Sequence, residues 1–324
     1  MKKAAAAWCV SVAVLAAALL LRAFAPAVAP SVPPADTQAA ATQAYRIPVN
    51  TSLNADVTAK AALIYDNTSG RMLYEKNGQA ALYPASVTKL LTALTALDIT
   101  GLDTVFTVGD ENKLVAADAS VAGLKPGYRL TVAMLLDAMM ICSGNDAAYT
   151  LAAGCGQMLL DAGTDGAAGG TGQASAADGV QAFVARMNDK AASLGMTHSH
   201  FMNPDGYQDP DHYLTAEDLL LLTKAALQAP PICAAAAKTT EDVTLTSGQT
   251  LHWHTSDQML LPSSPYYYPG LFGLKTGSTD QAGDCFVAAA TRDGRELIAI
   301  VLDATSPNAR WQDSIKLLNY GFIQ

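Results

Sequence analysis

The pattern of apolar and polar residues predicts strands at both ends of the chain and helices between them. Residues 61–65 form a short apolar run, and residues 71–75 form a second one after a turn-rich cluster, which predicts a β-hairpin. Another hairpin is predicted for residues 242–246 and 250–254. Three further strands are predicted near the C-terminus, at residues 271–275, 285–291 and 297–302.

The middle of the chain repeats apolar residues every three or four positions, which is the period of a helix with one buried face. The first such helix follows Pro84 and carries the repeat at Val87, Leu90, Leu91, Leu94 and Leu97. Residues 163–179 are rich in Gly and Ala and lack the repeat, so we expect a surface loop there. Further helices are predicted at residues 130–142, 146–161, 180–194, 215–227 and 310–318.

This order of elements predicts an α/β fold of the α+β type. Strands from the first and last parts of the chain are expected to form one antiparallel β-sheet flanked by helices. The middle of the chain, at about residues 103–235, is expected to form an inserted all-helical subdomain beside that sheet.

The N-terminus has the pattern of an export signal. Lys2 and Lys3 precede a long uncharged run, and two Ala-x-Ala sequences follow it. Residues 1–29 are therefore predicted to be a signal peptide or, if uncleaved, an N-terminal membrane anchor, which is the only membrane contact that we predict. Residues 30–58 are predicted to be a disordered Ala/Pro/Thr-rich linker, and residues 59–324 the folded part of an exported, extracytoplasmic protein.

Charge and cysteine content narrow the range of partners. The formal net charge is −9, and no cluster of Lys and Arg supplies the basic surface that phosphate binding requires, which argues against nucleic acid as a partner. Outside the leader, the cysteines are scattered without a CxxC pair, at Cys142, Cys155, Cys233 and Cys285. Buried free thiols are the plain interpretation, although the sequence leaves one disulfide open.

Ser86–Val87–Thr88–Lys89 stands at the start of the first predicted helix and has the S-x-x-K spacing. Residues three apart share one helical face, so the Lys89 amine is expected beside the Ser86 hydroxyl. A serine hydroxyl becomes a good nucleophile when a neighbouring base removes its proton. A lysine serves as that base when burial or a second cation lowers its pKa. Taken alone, this motif is more often the surface of an ordinary helix.

Two further motifs would complete such a site. Ser143–Gly144–Asn145 lies between two predicted helices, where a hydroxyl can relay a proton and an amide can hold both a lysine and a substrate carbonyl. Lys275–Thr276–Gly277–Ser278 ends a predicted strand, so its lysine adds positive charge, its hydroxyls can bind an anion, and its glycine leaves room for a substrate backbone. Taken alone, the first is an ordinary helix-capping turn and the second an ordinary strand end.

Together, in this order and on these elements, the three motifs resemble those of the penicillin-binding protein and serine β-lactamase superfamily. Longer segments are similar to one family within it, the low-molecular-mass D-alanyl-D-alanine carboxypeptidases of peptidase family S11. The resemblance runs from about Ala59 to the C-terminus and rests on residues 83–94, 142–148, 201–206, 214–219, 273–277 and 316–322.

The resemblance implies a β-lactamase/transpeptidase-like fold and a serine-type D-Ala-D-Ala carboxypeptidase of the cell wall, with no cofactor and no metal. Its substrates would be peptidoglycan stem peptides that end in D-Ala-D-Ala, and β-lactam antibiotics would be covalent inhibitors. Ser86 would be acylated by the penultimate D-Ala, with Lys89 as the general base. Ser143 and Asn145 would assist proton transfer and substrate positioning. Lys275 would hold this network and lower the pKa of Lys89.

The resemblance also implies how the substrate is held. The oxyanion hole would consist of the backbone N–H groups of Ser86 and Ser278. The terminal carboxylate of the substrate would meet Thr276 and Arg310, and the substrate backbone would pass Gly277. Ser278 departs from the family pattern, in which a bulkier His, Tyr or Phe often follows K-T-G, and it is more like the serine β-lactamases.

Three other functions remain open on the sequence. A class A-like β-lactamase would need a Glu between the second and third motifs to activate the deacylating water, and the candidates are Glu217 and Glu241. A zinc peptidase would use residues 198–200 or 252–254, which contain pairs of histidines but no HExxH motif. A non-catalytic wall-binding or sensor protein would keep the fold without activity. Within the family, D,D-endopeptidase or transpeptidase activity would use the same acyl-enzyme.

Overall fold

The computed structural model describes residues 53, 57–163 and 174–324. The predicted export segment, nearly all of the predicted linker and most of the predicted Gly/Ala-rich loop lie outside the described residues. Val57, inside the predicted linker, is only 2% exposed. Thr58 donates from its backbone N and from its hydroxyl to Asp313 Oδ2, both at 2.8 Å. These contacts place the start of the folded part earlier than the boundary we predicted.

A five-stranded antiparallel sheet joins the two ends of the described chain, as the sequence predicted. Its strands are β1 (Ala61–Asp66), β2 (Arg71–Lys76), β7 (Leu271–Thr279), β8 (Gly283–Arg292) and β9 (Arg295–Ala304). They lie in the order β2-β1-β9-β8-β7, so the first strand pairs with the last one. Two separate hairpins are formed by β3 (Val105–Thr107) with β4 (Arg129–Thr131), and by β5 (Thr240–Thr244) with β6 (Thr250–His254).

Helices cover both faces of the sheet. They are α1 (Lys89–Ile99), α2 (Val132–Ile141), α3 (Asn145–Gly163), α4 (Ala176–Ser193), α5 (Ala216–Leu227), α6 (Pro230–Ala236) and α7 (Pro307–Ile323). In β9, Ile298 and Ile300 pack into a core shared with helices from the middle of the chain, whereas Leu297 and Ala299 pack into a second core with α7. Because alternate side chains are buried on opposite faces, the central strands appear in the sequence as continuous apolar runs.

Local hydrogen bonds explain where several helices begin. The hydroxyls of Thr131 and Thr215 accept from backbone N–H groups of α2 and α5, as expected of N-caps. Helix α4 begins four residues before its predicted start, because Ser175 and Asp178 form a capping box. Helix α6 was not predicted; it is a single short run that begins at a proline.

The inserted middle of the chain differs from the prediction in one respect, because it is not entirely helical. It also contains the β3–β4 hairpin, whose strands of three residues each are too short for a periodic signal. Among the described residues, no single helix is long and apolar enough to cross a membrane, and only α5 with α6, bent by 101° at their junction, matches such a span by length and composition.

Candidate active site

Ser86, the predicted nucleophile, lies in a 3₁₀ turn that leads into α1. The preceding residue, Ala85, has a φ of 50°, in the left-handed region that non-glycine residues rarely adopt. Two glycines allow other segments to approach this turn closely. A Cβ on Gly206 would lie 1.8 Å from Ala85 O, and one on Gly277 would lie 3.0 Å from Ser86 N. The turn is therefore held between the loop that contains Gly206 and strand β7.

Lys89 is the first residue of α1, and 0% of its surface is exposed. Its Nζ contacts three oxygen atoms: Ser86 Oγ at 2.6 Å, Asn145 Oδ1 at 2.7 Å and the backbone O of Asp205 at 2.9 Å. Burial lowers the pKa of Lys89 to about 8, against the opposing effect of the nearby negative charge of Asp205. The structure thus brings together the predicted serine and lysine in a setting that raises the fraction of neutral amine.

The second motif lies at the junction of α2 and α3. Ser143 has a φ of 59° and is 7% exposed, and Asn145 begins α3. While Asn145 Oδ1 accepts from Lys89, its Nδ2 donates to Asp205 Oδ2 at 2.5 Å. The next residue, Asp146, accepts backbone N–H bonds from Ala122 and Leu124, both at 2.8 Å, and so fixes the facing loop. The Asn145 amide is therefore held at both of its ends.

Strand β7 brings the third motif to the opposite wall. Lys275 is 2% exposed, and its Nζ donates to Thr276 O at 3.0 Å. Burial, followed by the charge of Lys89, holds the pKa of Lys275 well below its ordinary value. The hydroxyl of Thr276 lies 2.6 Å from that of Ser256. Two buried amines therefore face the same region, and the charge of Lys89 disfavours a charge on Lys275.

Arg310, in the first turn of α7, reaches the same wall. Its Nη1 donates to Gly277 O at 3.1 Å and lies 3.0 Å from Asp284 Oδ1. Its guanidinium also lies over the ring of Trp311, with 4.5 Å between Cζ and the ring centroid. Arg310 is thus a partly buried cation whose charge already has a carboxylate partner.

These groups surround a cleft of about 560 Å³. The sequence-predicted residues in its lining are Ser86, Ser143, Asn145, Thr276, Gly277, Ser278 and Arg310. Lys89 and Lys275 are buried beneath this lining. Residues of the lining that sequence reasoning missed include Ser120, Asp205, Gly206, Tyr207, Ser256 and Asp284.

Asp205 is the missed residue that contacts the predicted motifs directly. It lies in a turn closed by Asn203, whose Oδ1 accepts from Gly206 N and whose Nδ2 donates to Tyr207 O, both at 2.8 Å. Thr92 of α1 fastens this turn through a 2.6 Å bond to Pro204 O. An aspartate between Pro and Gly is an ordinary turn residue, so the local sequence carried no signal of its role.

The residues considered for other functions lie away from the cleft lining. Glu217 is in the first turn of α5, and Glu241 pairs with Lys238 at 2.9 Å. His252 Nδ1 lies 2.8 Å from Asp242 Oδ1 on an exposed hairpin. Over residues 57–163 and 174–324, no group of three or more His, Cys, Asp or Glu side chains is arranged to hold a metal ion.

A serine and a buried lysine at the start of a helix, beside an antiparallel sheet with helices on both faces, define a serine hydrolase of the Ser–Lys type. The chain belongs to the D-alanyl-D-alanine carboxypeptidase family, peptidase S11, whose family model matches residues 48–157 and 167–306.

Individual relatives agree with this assignment. D-alanyl-D-alanine carboxypeptidase DacF of Bacillus subtilis is 30% identical over 270 residues, which cover 82% of this chain and 62% of that protein. The crystal structure of the Streptomyces K15 DD-transpeptidase matches with a TM-score of 0.72 at 30% identity, over 86% of this chain and 100% of that one. Penicillin-binding protein D2 of Listeria monocytogenes, in an ampicillin-bound form, matches with a TM-score of 0.63 at 30% identity, over 82% of this chain and 98% of that one. The chain therefore spans less than two thirds of DacF but the whole of the K15 structure.

Replacing Gly206 by alanine is expected to destabilise the domain, because the new Cβ would lie 1.8 Å from Ala85 O. Gly248→Ala is the matched control, since φ is +84° there and +85° at Gly206, while no atom lies within 4 Å of the Cβ position of residue 248. Left-handed strain of about 1–2 kcal/mol applies to both variants. The difference between their midpoints of thermal unfolding therefore isolates the clash, and equal midpoints would show that the nucleophile turn does not depend on this close approach.

Proposed function

We propose that this chain is a serine-type D,D-carboxypeptidase that removes the terminal D-Ala from peptidoglycan stem peptides ending in D-Ala-D-Ala. One observation carries the proposal: the buried amine of Lys89 lies 2.6 Å from the hydroxyl of Ser86. Membership of the D-alanyl-D-alanine carboxypeptidase family supports the choice of substrate. The ampicillin-bound structural neighbour supports β-lactams as inhibitors that acylate the same serine.

The surroundings of Lys89 direct its base function toward Ser86. A neutral amine has two N–H donors and one lone pair. The two carbonyl oxygens in contact with Nζ, Asn145 Oδ1 and Asp205 O, are acceptors only and take the two N–H groups. The lone pair is then left for the Ser86 hydroxyl, which is the one contact with a proton to give. Ser86 Oγ attacks the carbonyl carbon of the penultimate D-Ala as its proton passes to Lys89.

The oxyanion that forms in this step would be bound by the backbone N–H groups of Ser86 and Ser278. Gly277 supports this pairing, because β7 lies so close to the Ser86 turn that a Cβ at residue 277 would be 3.0 Å from Ser86 N. The terminal carboxylate of the substrate would be bound by Thr276 and Arg310. Since Asp284 already pairs with Arg310, that carboxylate would share the guanidinium with Asp284.

Completion of the reaction requires a proton for the leaving amine and a water for the acyl-enzyme. The Ser143 hydroxyl, which lines the cleft, would pass the proton to the departing D-Ala. A charge on Lys275 would lower the pKa of Lys89, since both amines are buried in the same region of the site. Water would then hydrolyse the Ser86 ester. The reaction is extracytoplasmic, with residues 1–29 as the export signal or as a membrane anchor if they are retained.

Benzylpenicillin is expected to add its full mass to the wild-type protein and nothing to Ser86→Ala, because opening of the β-lactam ring forms an ester without a leaving group. Ser247→Ala, in an exposed hairpin turn, is the control and should be labelled normally. Intact-mass spectrometry measures the adduct, and release of D-Ala from a D-Ala-D-Ala peptide is measured in parallel. A labelled Ser86→Ala protein would contradict the assignment of the nucleophile. Release only in the presence of an amine acceptor would identify a transpeptidase instead.

The acylation rate should rise with pH and level off above about pH 8. Lys89 acts as a base only after losing its proton, and its pKa is lowered from 10.5 to about 8. Below that pKa the neutral fraction falls about tenfold per pH unit, and above it the fraction is nearly constant. Rapid-mixing measurements of penicillin acylation from about pH 6 to 10 test this, with Lys89→Arg as a variant that stays protonated and should not be acylated. A flat profile, or one that falls toward pH 8, would contradict Lys89 as the base.

A further inference from the structure

A buried carboxylate stands behind the Ser–Lys pair, outside the set of residues to which a role has been given so far. Asp205 is 1% exposed. Its Oδ2 accepts from Asn145 Nδ2 at 2.5 Å, and its Oδ1 accepts from Tyr207 N at 3.1 Å. Its backbone O accepts from Lys89. One residue thus contacts both the lysine and the asparagine of the site, and does so with its main chain and its side chain respectively.

We propose that Asp205 is a positioning residue that sets which end of the Asn145 amide faces Lys89. Burial raises the pKa of Asp205, while the charge of Lys89 and the hydrogen bond from Tyr207 N oppose that rise. In its ionised form the carboxylate can only accept hydrogen bonds, whereas the two ends of an asparagine amide are a donor and an acceptor. Asn145 must therefore turn its Nδ2 toward Asp205, which leaves Oδ1 toward Lys89, as the distances of 2.5 and 2.7 Å record. Burial of Asn145 and Asp205 makes the reversed amide costly, because it would set two acceptors against each other without water.

This orientation has a chemical consequence, which rests on the function proposed above. With Oδ1 toward Lys89, the neutral amine donates to Asn145 and to Asp205 O and keeps its lone pair for Ser86. With the amide reversed, Nδ2 would donate to that lone pair and take it away from the serine. Asp205 therefore acts through Asn145 on the direction of the base, without touching the reacting atoms itself.

Asp205 also supplies negative charge close to Lys89. Among the charges around Lys89, Asp205 is the one that most strongly counteracts the lowering of its pKa by burial. Lys89 is also faced by Cys142 and Asp146 from the α2–α3 region and by Lys275 from β7. Asp205 is faced by Tyr149 and Tyr207. Removing the carboxylate should thus shift the pKa of Lys89 to a lower value.

Asp205→Asn separates these effects from a general loss of structure. The asparagine pairs equally well with either end of the Asn145 amide and carries no charge. We expect the plateau of the penicillin acylation rate to fall on the order of 10- to 100-fold, as for other small misplacements of a reacting group. We also expect the acid limb of the pH profile to move to lower pH. A role confined to folding would lower the thermal midpoint without moving that limb.

Asp110→Asn is the matched control, because Asp110 is an exposed carboxylate outside the cleft lining that pairs with Lys113 at 2.8 Å. The same change of charge there should leave the plateau of the acylation rate within about twofold of the wild type and should not shift the acid limb. If Asp205→Asn does not fold, Asp205→Ser is measured in its place, since it also removes the charge and the acceptor-only group and is smaller.

A double-mutant comparison tests the route through Asn145. In an Asn145→Ala background there is no amide left to orient, so Asp205→Asn should lower the plateau by less than about twofold further. Two results would overturn this inference and leave the proposed function standing, provided that the wild type is acylated normally. One is a double variant in which the losses of the two single variants add fully. The other is an Asp205→Asn protein whose plateau and acid limb are both unchanged. A wild-type protein that penicillin does not acylate at Ser86 would overturn the proposed function, and this inference with it.

Discussion

The burial of one amine is the constraint on which the site depends. Water does not reach Lys89, and an unpaired ammonium in that position would carry a large desolvation cost. Three oxygen atoms at 2.6–2.9 Å compensate for part of this cost, and the remainder lowers the pKa to about 8. The same burial that disfavours the charged lysine therefore raises the fraction of neutral amine that can take the proton of Ser86 near neutral pH.

The fold supplies those oxygen atoms from distant parts of the chain. Asn145 is 56 residues from Lys89, and Asp205 is 116 residues away. They meet because the inserted helices pack against α1, while strand β7 closes the other side of the Ser86 turn. Gly206 makes this assembly possible, since a side chain there would push the turn away, and Gly277 leaves a tight contact on the other side of the turn. The packing of these distant segments thus sets the hydrogen-bond distances around Lys89.

Much of this arrangement could be predicted from the sequence, because it is encoded locally. The S-x-x-K spacing predicted the contact between Ser86 and Lys89, and apolar periodicity predicted the sheet and most of its covering helices. The order of the three motifs then indicated a superfamily, and longer segments narrowed the resemblance to one family. The family match confirms that resemblance, and the structure gathers the motif residues around one cleft.

The rest depended on contacts that no local pattern records. Asp205 is a turn residue in the sequence, and only packing of that turn against α1 brings its carboxylate to Asn145, 60 residues away. The carboxylate partner of Arg310 could not be predicted for the same reason, since Asp284 lies on β8 and Arg310 on α7. Glu217 and Glu241 were the acids considered for the β-lactamase alternative, whereas the acids that line the cleft are aspartates, Asp205 and Asp284 among them. Positive φ at Ala85 and Ser143 had no signal either, because neither residue is a glycine.

The ionisation state of Lys89 in the resting protein tests the central claim most directly. The ¹³Cε resonance of Lys89 can be followed by NMR across a pH titration of lysine-labelled protein, and Lys89→Arg identifies the signal by its disappearance. We predict an apparent pKa near 8, well below the ordinary 10.5, since the amine is buried among carbonyl and hydroxyl oxygens. A Lys89 signal that titrates at 10 or above would show that burial leaves almost no neutral amine near neutral pH, and would contradict Lys89 as the base.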